Sequence, residues 1–230
     1  MTCLEDFRDV TRAHVISFRD YLEYQAMSAA TIRRKMAAVS AIFDYLCNCN
    51  SIRHNPVSGV KRPSEGNNEG KTPALSNSQA KRLLLAPDEN TLKGIRDRAI
   101  LAVLLYHGLR REELTRLKVK DLEHRQGVPH LCVQGKRDRI RYVPIHPAAL
   151  RLINAYRAMD CRLEEAETPL FRPVKNNTTK ILDKALSPDA IYKMVRHYAL
   201  QAGLLSEIVN IGAHAMRATA ATNALEHAAD

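Results

Sequence analysis

Three polar clusters in the second half of the chain carry residue types and spacings that could do chemistry. They are Arg110-Arg111-Glu112-Glu113, Lys136 within Gly135-Lys136-Arg137-Asp138-Arg139, and His214-Ala215-Met216-Arg217. Arg110 and Glu113 stand three residues apart, which puts them on one face of a helix, and His214 and Arg217 share that spacing. Arginine offers a planar fork of N–H donors, lysine a compact ammonium, and histidine a group that gives or takes a proton near neutral pH. Brought together, two arginines, a lysine and a histidine would clamp a phosphate. They would also stabilise the extra negative charge of a five-coordinate transition state without a metal. Each cluster alone has an ordinary reading. Arg110 and Glu113 could pair for structure only, a loop lysine could touch only a backbone phosphate, and a single histidine is more often a cap or a core residue.

The elements that must position these groups can be read from periodicity. A long apolar helix over residues 92–107 buries Ile95, Ala99, Ala102, Val103 and Tyr106 and ends at Gly108, which suits the left-handed position that closes helices. A short helix over 110–117 follows at once, so its polar start stands at the mouth of a core. Two extended runs, 130–134 and 140–144, form an antiparallel pair whose turn, 135–139, holds Lys136. Further helices are expected over 79–85 with Ser76 or Ser78 as cap, over 147–161, over 188–202 with Ile191, Met194, Val195 and Tyr198 buried, and from Gly212 or Ala213 to the end.

The first part of the chain reads as all-helical. Thr11 caps a helix over 12–25 with Val15, Phe18 and Leu22 on one face. A second helix opens at Ser28 or Ala29, with Ile32, Met36, Val39, Phe43 and Leu46 as its core stripe and Arg33, Arg34 and Lys35 on the opposite side. Without context that basic cluster is a solvated face. Asn55-Pro56 and Lys61-Arg62-Pro63 stop the helices, and residues 63–78 turn to Ser, Glu, Gly, Asn and Pro, as a flexible linker does. The expected fold class is mainly α with a small antiparallel β-sheet (α+β). It comprises a helical domain over 1–62, thin enough to be incomplete at its N-terminus, a linker over 63–78, and a larger domain over 79–230.

Composition narrows the partners. The chain carries a net charge of +10, with a pI near 9.5, so a polyanion such as nucleic acid is the expected partner. Aromatics make up 5% and Trp is absent, which argues against stacking platforms for single strands. No apolar run approaches the roughly 20 residues that span a bilayer, and the N-terminus lacks the pattern of a signal peptide. Five cysteines, with Cys47 and Cys49 as C-x-C, suit free thiols in a cytoplasmic protein. The other histidines show no ligand spacing, so no zinc site is expected. Glu164-Glu165-Ala166-Glu167 reads as a solvated face.

Taken in order, these segments resemble the tyrosine recombinases, or phage-type integrases, over nearly the whole chain. Residues 107–117, His107-Gly108-Leu109-Arg110-Arg111-Glu112-Glu113-Leu114-Thr115-Arg116-Leu117, resemble that family's first-arginine box. Residues 135–144 resemble its catalytic-lysine hairpin, and His214-Ala215-Met216-Arg217 its His-x-x-Arg box. Ser28-Ala29-Ala30-Thr31-Ile32-Arg33-Arg34-Lys35, with Asn55-Pro56-Val57, looks like its core-binding domain. The resemblance implies that Arg110 and Arg217 hold the non-bridging oxygens of a scissile phosphate in double-stranded DNA, and that Glu113 orients Arg110. Lys136 would protonate the leaving 5′ oxygen, and His214 would bond the phosphate or help the nucleophile lose its proton. Arg33, Arg34, Lys35, Arg137 and Arg139 would contact DNA, with the two domains closing on it. No cofactor or metal is implied, and family members assemble as tetramers on two sites. Arg111 remains a rival for the first arginine, and Arg137 and Arg139 for the lysine.

The family attacks with a tyrosine hydroxyl downstream of the His-x-x-Arg box, giving a 3′-phosphotyrosyl link. All eight tyrosines precede His214, and most read as core. Ala218 stands where the family often has histidine and Met216 where it usually has leucine. The expectation is a recombinase chain truncated before its nucleophile, inactive in cleavage and doubtful as a tetramer. The alternative is a non-catalytic DNA-binding remnant or competitor. A type IB topoisomerase fits the core-binding segment poorly, and a helix-turn-helix repressor leaves Lys136 and His214 unexplained.

Overall fold

Helix α1 (Arg12–Tyr24) begins where the Thr11 hydroxyl accepts the His14 N–H and His14 Nδ1 accepts the Thr11 N–H in return. Each bond satisfies one of the donors that a helix start leaves unpaired. Ser28 opens α2 (Ala29–Asn48) in the same way through the Thr31 N–H. These features come from a computed structural model, which describes residues 6–64, 73–135, 138–160, 165–175, 181–208 and 211–227, the last of them by backbone only. The chain divides into two compact units at Glu69/Gly70.

In the first unit Val15 and Leu22 of α1 meet Ile32, Met36 and Phe43 of α2, with Phe18, Val39 and Leu46 packed at the margin. The stripe expected on each helix is the one that is buried. Two helices alone leave one side of this core open, and the loop after α2 closes it with Val57 and Val60. Asn55 holds that loop. Its Nδ2 donates to the Ser40 carbonyl at 3.0 Å and to Asp44 Oδ1 at 2.7 Å, and its Oδ1 accepts the Val57 N–H at 2.8 Å. Buried amide groups bonded on both sides fix a loop as firmly as packing does.

The second unit is built around α4 (Leu92–His107). Residues Ala99 to Leu105 are all buried, so this helix is apolar around its whole circumference and runs through the core. Around it lie α3 (Asn77–Leu85), α5 (Arg111–Arg116), α6 (Pro147–Arg157), α7 (Pro188–Gln201) and α8 (Ala213–His227). Three strands, β1 (Leu122–Arg125), β2 (Val128–Gln134) and β3 (Ile140–Pro144), form an antiparallel sheet in the order β1-β2-β3. The mainly α architecture with a small antiparallel sheet is the one expected.

A buried ionic cluster locks α4 to α7 and to the segment after α6. Asp97, fully buried, accepts Lys93 Nζ at 2.9 Å, the Tyr198 hydroxyl at 2.9 Å and Arg96 Nε at 2.8 Å. Arg96 Nη1 reaches the Arg172 carbonyl at 2.9 Å, and Arg172 in turn pairs with Asp160. Every charge in this cluster has an opposite partner, the condition under which buried charges are tolerated.

Five expectations are corrected. The sheet has a strand the periodicity did not show, β1, joined to β2 by Gln126 and Gly127 at φ 51° and 78°. Two left-handed residues in a row suit the twist of a two-residue hairpin. The helix expected over 147–161 ends at Arg157, and the turn after it brings Asp160 inward to Arg172. Most tyrosines are surface residues. Tyr21, Tyr24, Tyr45, Tyr106, Tyr142 and Tyr192 are exposed, and only Tyr156 and Tyr198 are buried. Tyr106, expected in the stripe of α4, instead stacks on His146 with ring centroids 4.1 Å apart. Within residues 63–78, Leu75 is also buried in the second unit, and its N–H donates to Thr219 Oγ1 at 2.7 Å.

Candidate active site

The site begins with the end of α4. Gly108 adopts φ 58° and ψ 33°, and its N–H returns to the Leu104 carbonyl, so the helix closes as the glycine implied. Its neighbours crowd the space a side chain would take. A Cβ there would stand 3.2 Å from Ala220 Cβ and 3.5 Å from Arg217 Cγ. The turn at Gly108 and the helix α8 are thus in direct contact, and Arg217 Nη1 donates to the Gly108 carbonyl at 3.0 Å. Two residues 109 apart in sequence are joined by one bond.

Beyond that turn, Arg110 is the N-cap of α5 with extended backbone, φ −72° and ψ 153°, so it precedes the helix instead of lying within it. An arginine side chain has no acceptor with which to cap. Glu113 supplies the link in the other direction. Its carboxylate accepts the Arg110 backbone N–H at 2.8 Å and Arg110 Nη1 at 2.8 Å. The expected pairing is present, tightened by a backbone bond. Burial alone would raise the Glu113 carboxyl. Hydrogen bonds from Arg141, the Arg110 N–H and the Arg110 guanidinium outweigh it and bring the carboxyl down to about 2.

An open cleft of about 500 Å³ is lined by Leu109, Arg110, Arg111, Glu112, Tyr192, Gly212, Ala213, His214 and Arg217. The structure therefore brings Arg110, His214 and Arg217 onto one surface. Glu113 lies behind them, 5% exposed. Arg111, the rival first arginine, also reaches this cleft, with its guanidinium 5.8 Å from the Tyr192 ring centroid. Ala215 and Met216 point into the core, and His214 and Arg217 on either side of them share the outward face of α8.

Lys136 and Arg137 lie outside the described residues. The root of their turn is described. The Gly135 N–H donates to the Arg139 carbonyl at 2.7 Å. A Cβ on Gly135 would lie 3.5 Å from Arg141 Nη1 and 4.0 Å from Glu113 Oε1. The lysine hairpin is thereby rooted against the carboxylate that holds Arg110. Arg139 is exposed just before β3. In the first unit Arg33, Arg34 and Lys35 all face outward from α2, and Arg33 also reaches the Pro63 carbonyl at 3.4 Å.

Two residues at the site escaped sequence reading. Arg141 makes a two-pronged bond to Glu113, with Nη1 to Oε1 at 3.0 Å and Nη2 to Oε2 at 2.7 Å. Tyr192 of α7 lines the cleft between Arg111 and Arg196, and its hydroxyl lies 3.3 Å from Arg196 Nη1. The signal for Arg141 was its place in β3, where alternation turns it to the same face as the inward-packed Val143. Nothing in the pattern of α7 singled out Tyr192.

Residues 73–230 match the phage integrase family. Over 230 aligned residues the chain is 28% identical to the tyrosine recombinase XerD of Listeria monocytogenes serotype 4b (strain F2365), covering 99% of this chain and 73% of that protein. Its fold is similar to that of the XerH site-specific recombinase bound to palindromic difH substrate in a post-cleavage complex. That match has a TM-score of 0.72 at 21% identity and covers 99% of this chain and 63% of the other. A lambda integrase dimer bound to a COC′ core site matches with a TM-score of 0.69 at 15% identity, over 96% of this chain and 72% of the other. The chain thus spans less than two thirds of the XerH chain. The family match covers the cleft, the lysine hairpin and α8 together, and the chain belongs to the phage integrase family of tyrosine recombinases.

Proposed function

We propose that this chain binds double-stranded DNA as part of a site-specific recombinase or integrase, with the cleft between α5 and α8 receiving the scissile phosphate. The observation that carries this reading is the convergence of Arg110, His214 and Arg217 on one cleft, with Glu113 fixing Arg110 from behind. In the proposed reaction Arg110 and Arg217 bond the two non-bridging oxygens, whose charge grows as the phosphorus becomes five-coordinate. A tyrosine oxygen forms a bond to phosphorus while the bond to the 5′ oxygen breaks. Lys136 gives its proton to that leaving oxygen, and His214 bonds the phosphate or helps the tyrosine lose its proton. The 3′-phosphotyrosyl ester keeps the energy of the phosphodiester, so rejoining needs no cofactor. Arg33, Arg34, Lys35, Arg137 and Arg139 contact the DNA backbone, and residues 1–62 act as the core-binding domain and 79–230 as the catalytic one. The XerH structure, described as bound to palindromic difH substrate, and the lambda integrase dimer, described as bound to a COC′ core site, support this choice of partner.

The nucleophile belongs to none of the tyrosines in this chain. No tyrosine follows His214, and Tyr192, which does line the cleft, has its hydroxyl beside Arg196. The 230-residue chain should therefore bind duplex DNA in a salt-dependent way and form no covalent product with a library of nicked, random-core suicide duplexes. Electrophoresis under denaturing conditions reads the outcome. A protein–DNA adduct would overturn the assignment of a non-cleaving chain, and failure to bind duplex DNA at low salt would overturn the function itself.

A further inference from the structure

Glu113 accepts four hydrogen bonds, two on each oxygen. Oε1 takes Arg110 Nη1 at 2.8 Å and Arg141 Nη1 at 3.0 Å, while Oε2 takes the Arg110 N–H at 2.8 Å and Arg141 Nη2 at 2.7 Å. One carboxylate between two guanidinium groups leaves the trio with a net positive charge. Arg110 and Glu113 alone would be neutral, and an anion entering the cleft would meet a cancelled dipole at the place where it needs a cation. The geometry points to Arg141 as a positioning residue with an electrostatic task. It takes up the charge of Glu113, so that Arg110 is held by a carboxylate and still faces the cleft as an uncancelled cation. Arg110 keeps a side-chain exposure of 42%, against 5% for the carboxylate behind it, so its remaining donors are available on the cleft side. Because Arg141 belongs to β3, the same bond ties the root of the lysine hairpin to the residue that fixes Arg110.

The inference rests on the reading that Arg110 takes a phosphate oxygen, and the test separates the two. Inorganic phosphate is titrated into the full 230-residue chain while the arginine Nε–H resonances are followed by NMR. In the unaltered protein the Arg110 resonance should shift and saturate. Its failure to respond would overturn the phosphate cleft and this inference with it. With that response in hand, Arg141→Ala should weaken phosphate binding roughly tenfold, while Arg141→Lys should stay within about threefold of the unaltered protein. Adding Glu113→Gln to Arg141→Ala removes the charge that Arg141 had balanced, and binding should return to near its original strength. A purely structural Arg141 predicts a double variant at least as weak as the single one. That result, or unchanged binding in Arg141→Ala, overturns the electrostatic role alone. Should circular dichroism show Arg141→Ala unfolded, Arg141→Gln set against Arg141→Lys reads the same charge difference, with Gln expected to be the weaker binder and equal binding counting against the role.

Discussion

Glu113 sits where a carboxylate would ordinarily be raised by burial, and three hydrogen-bond sources reverse that effect and hold it at about 2. The direction fixes a pH dependence. A carboxyl that titrates lower folded than unfolded gives stability that is complete above its unfolded value, near 4.5, and is lost as the pH falls toward about 2. Thermal melts across that window should show a steeper acid loss for the unaltered protein than for Glu113→Gln, and parallel curves would remove Glu113 as the source. Asp97 is the second residue with a decisive environment. It balances Arg96 and bonds Lys93 and Tyr198 in the core, so Asp97→Asn should cost about 3 kcal/mol in urea unfolding, in the range for breaking a buried ion pair. The pairing of Glu113 with Arg110 was legible from their spacing. That of Asp97 was not, because Lys93-Gly94-Ile95-Arg96-Asp97 reads as the ordinary polar first turns of a helix.

Among the elements, α4, α5 and α8 matter most, and they meet at one glycine. Gly108 lets α4 stop, turns the chain so that Arg110 starts α5, and presents its carbonyl to Arg217 of α8. Gly108→Ala would place a Cβ at positive φ and 3.2 Å from Ala220 Cβ. The backbone term alone should cost about 1–2 kcal/mol. Pushing α8 away would also lengthen the Arg217 bond, so phosphate binding should fall more than the loss of stability explains. Equal phosphate affinity in a folded Gly108→Ala protein would show that the contact between the turn and α8 is dispensable. Most helices were legible because their apolar stripes recur at helical spacing and they open on a Thr or Ser cap or on a Pro in the first turn. The strand β1 was not, because Leu122-Glu123-His124-Arg125 has no alternation to read, and its pairing is set by β2 and the left-handed turn at Gln126 and Gly127. Arg141 was passed over for a related reason. A strand is recognised by its apolar face, and the partner that gives Arg141 its task lies 28 residues away in sequence.

Across the whole molecule the feature to explain is the net charge of +10. Charge of this size gives DNA affinity through release of counterions, with a slope of log affinity against log salt near −0.9 for each phosphate neutralised. The outward arginines of α2 and the cleft arginines of the second unit should enter that slope separately. Arg33→Ala combined with Arg34→Ala should flatten it by about two, and Arg110→Ala by about one, since each residue answers to about one phosphate. Filter binding of a mixed-sequence duplex between low and moderate salt measures both. The two effects should also add when the three substitutions are combined, because the residues belong to different compact units and each answers to its own phosphate. A slope unchanged by Arg33→Ala and Arg34→Ala would return α2's basic face to plain solvation and leave the second unit as the sole DNA contact. A slope changed equally by every lysine or arginine replaced would instead mean that the protein binds through diffuse charge, and the convergence of Arg110, His214 and Arg217 would then add nothing to duplex affinity.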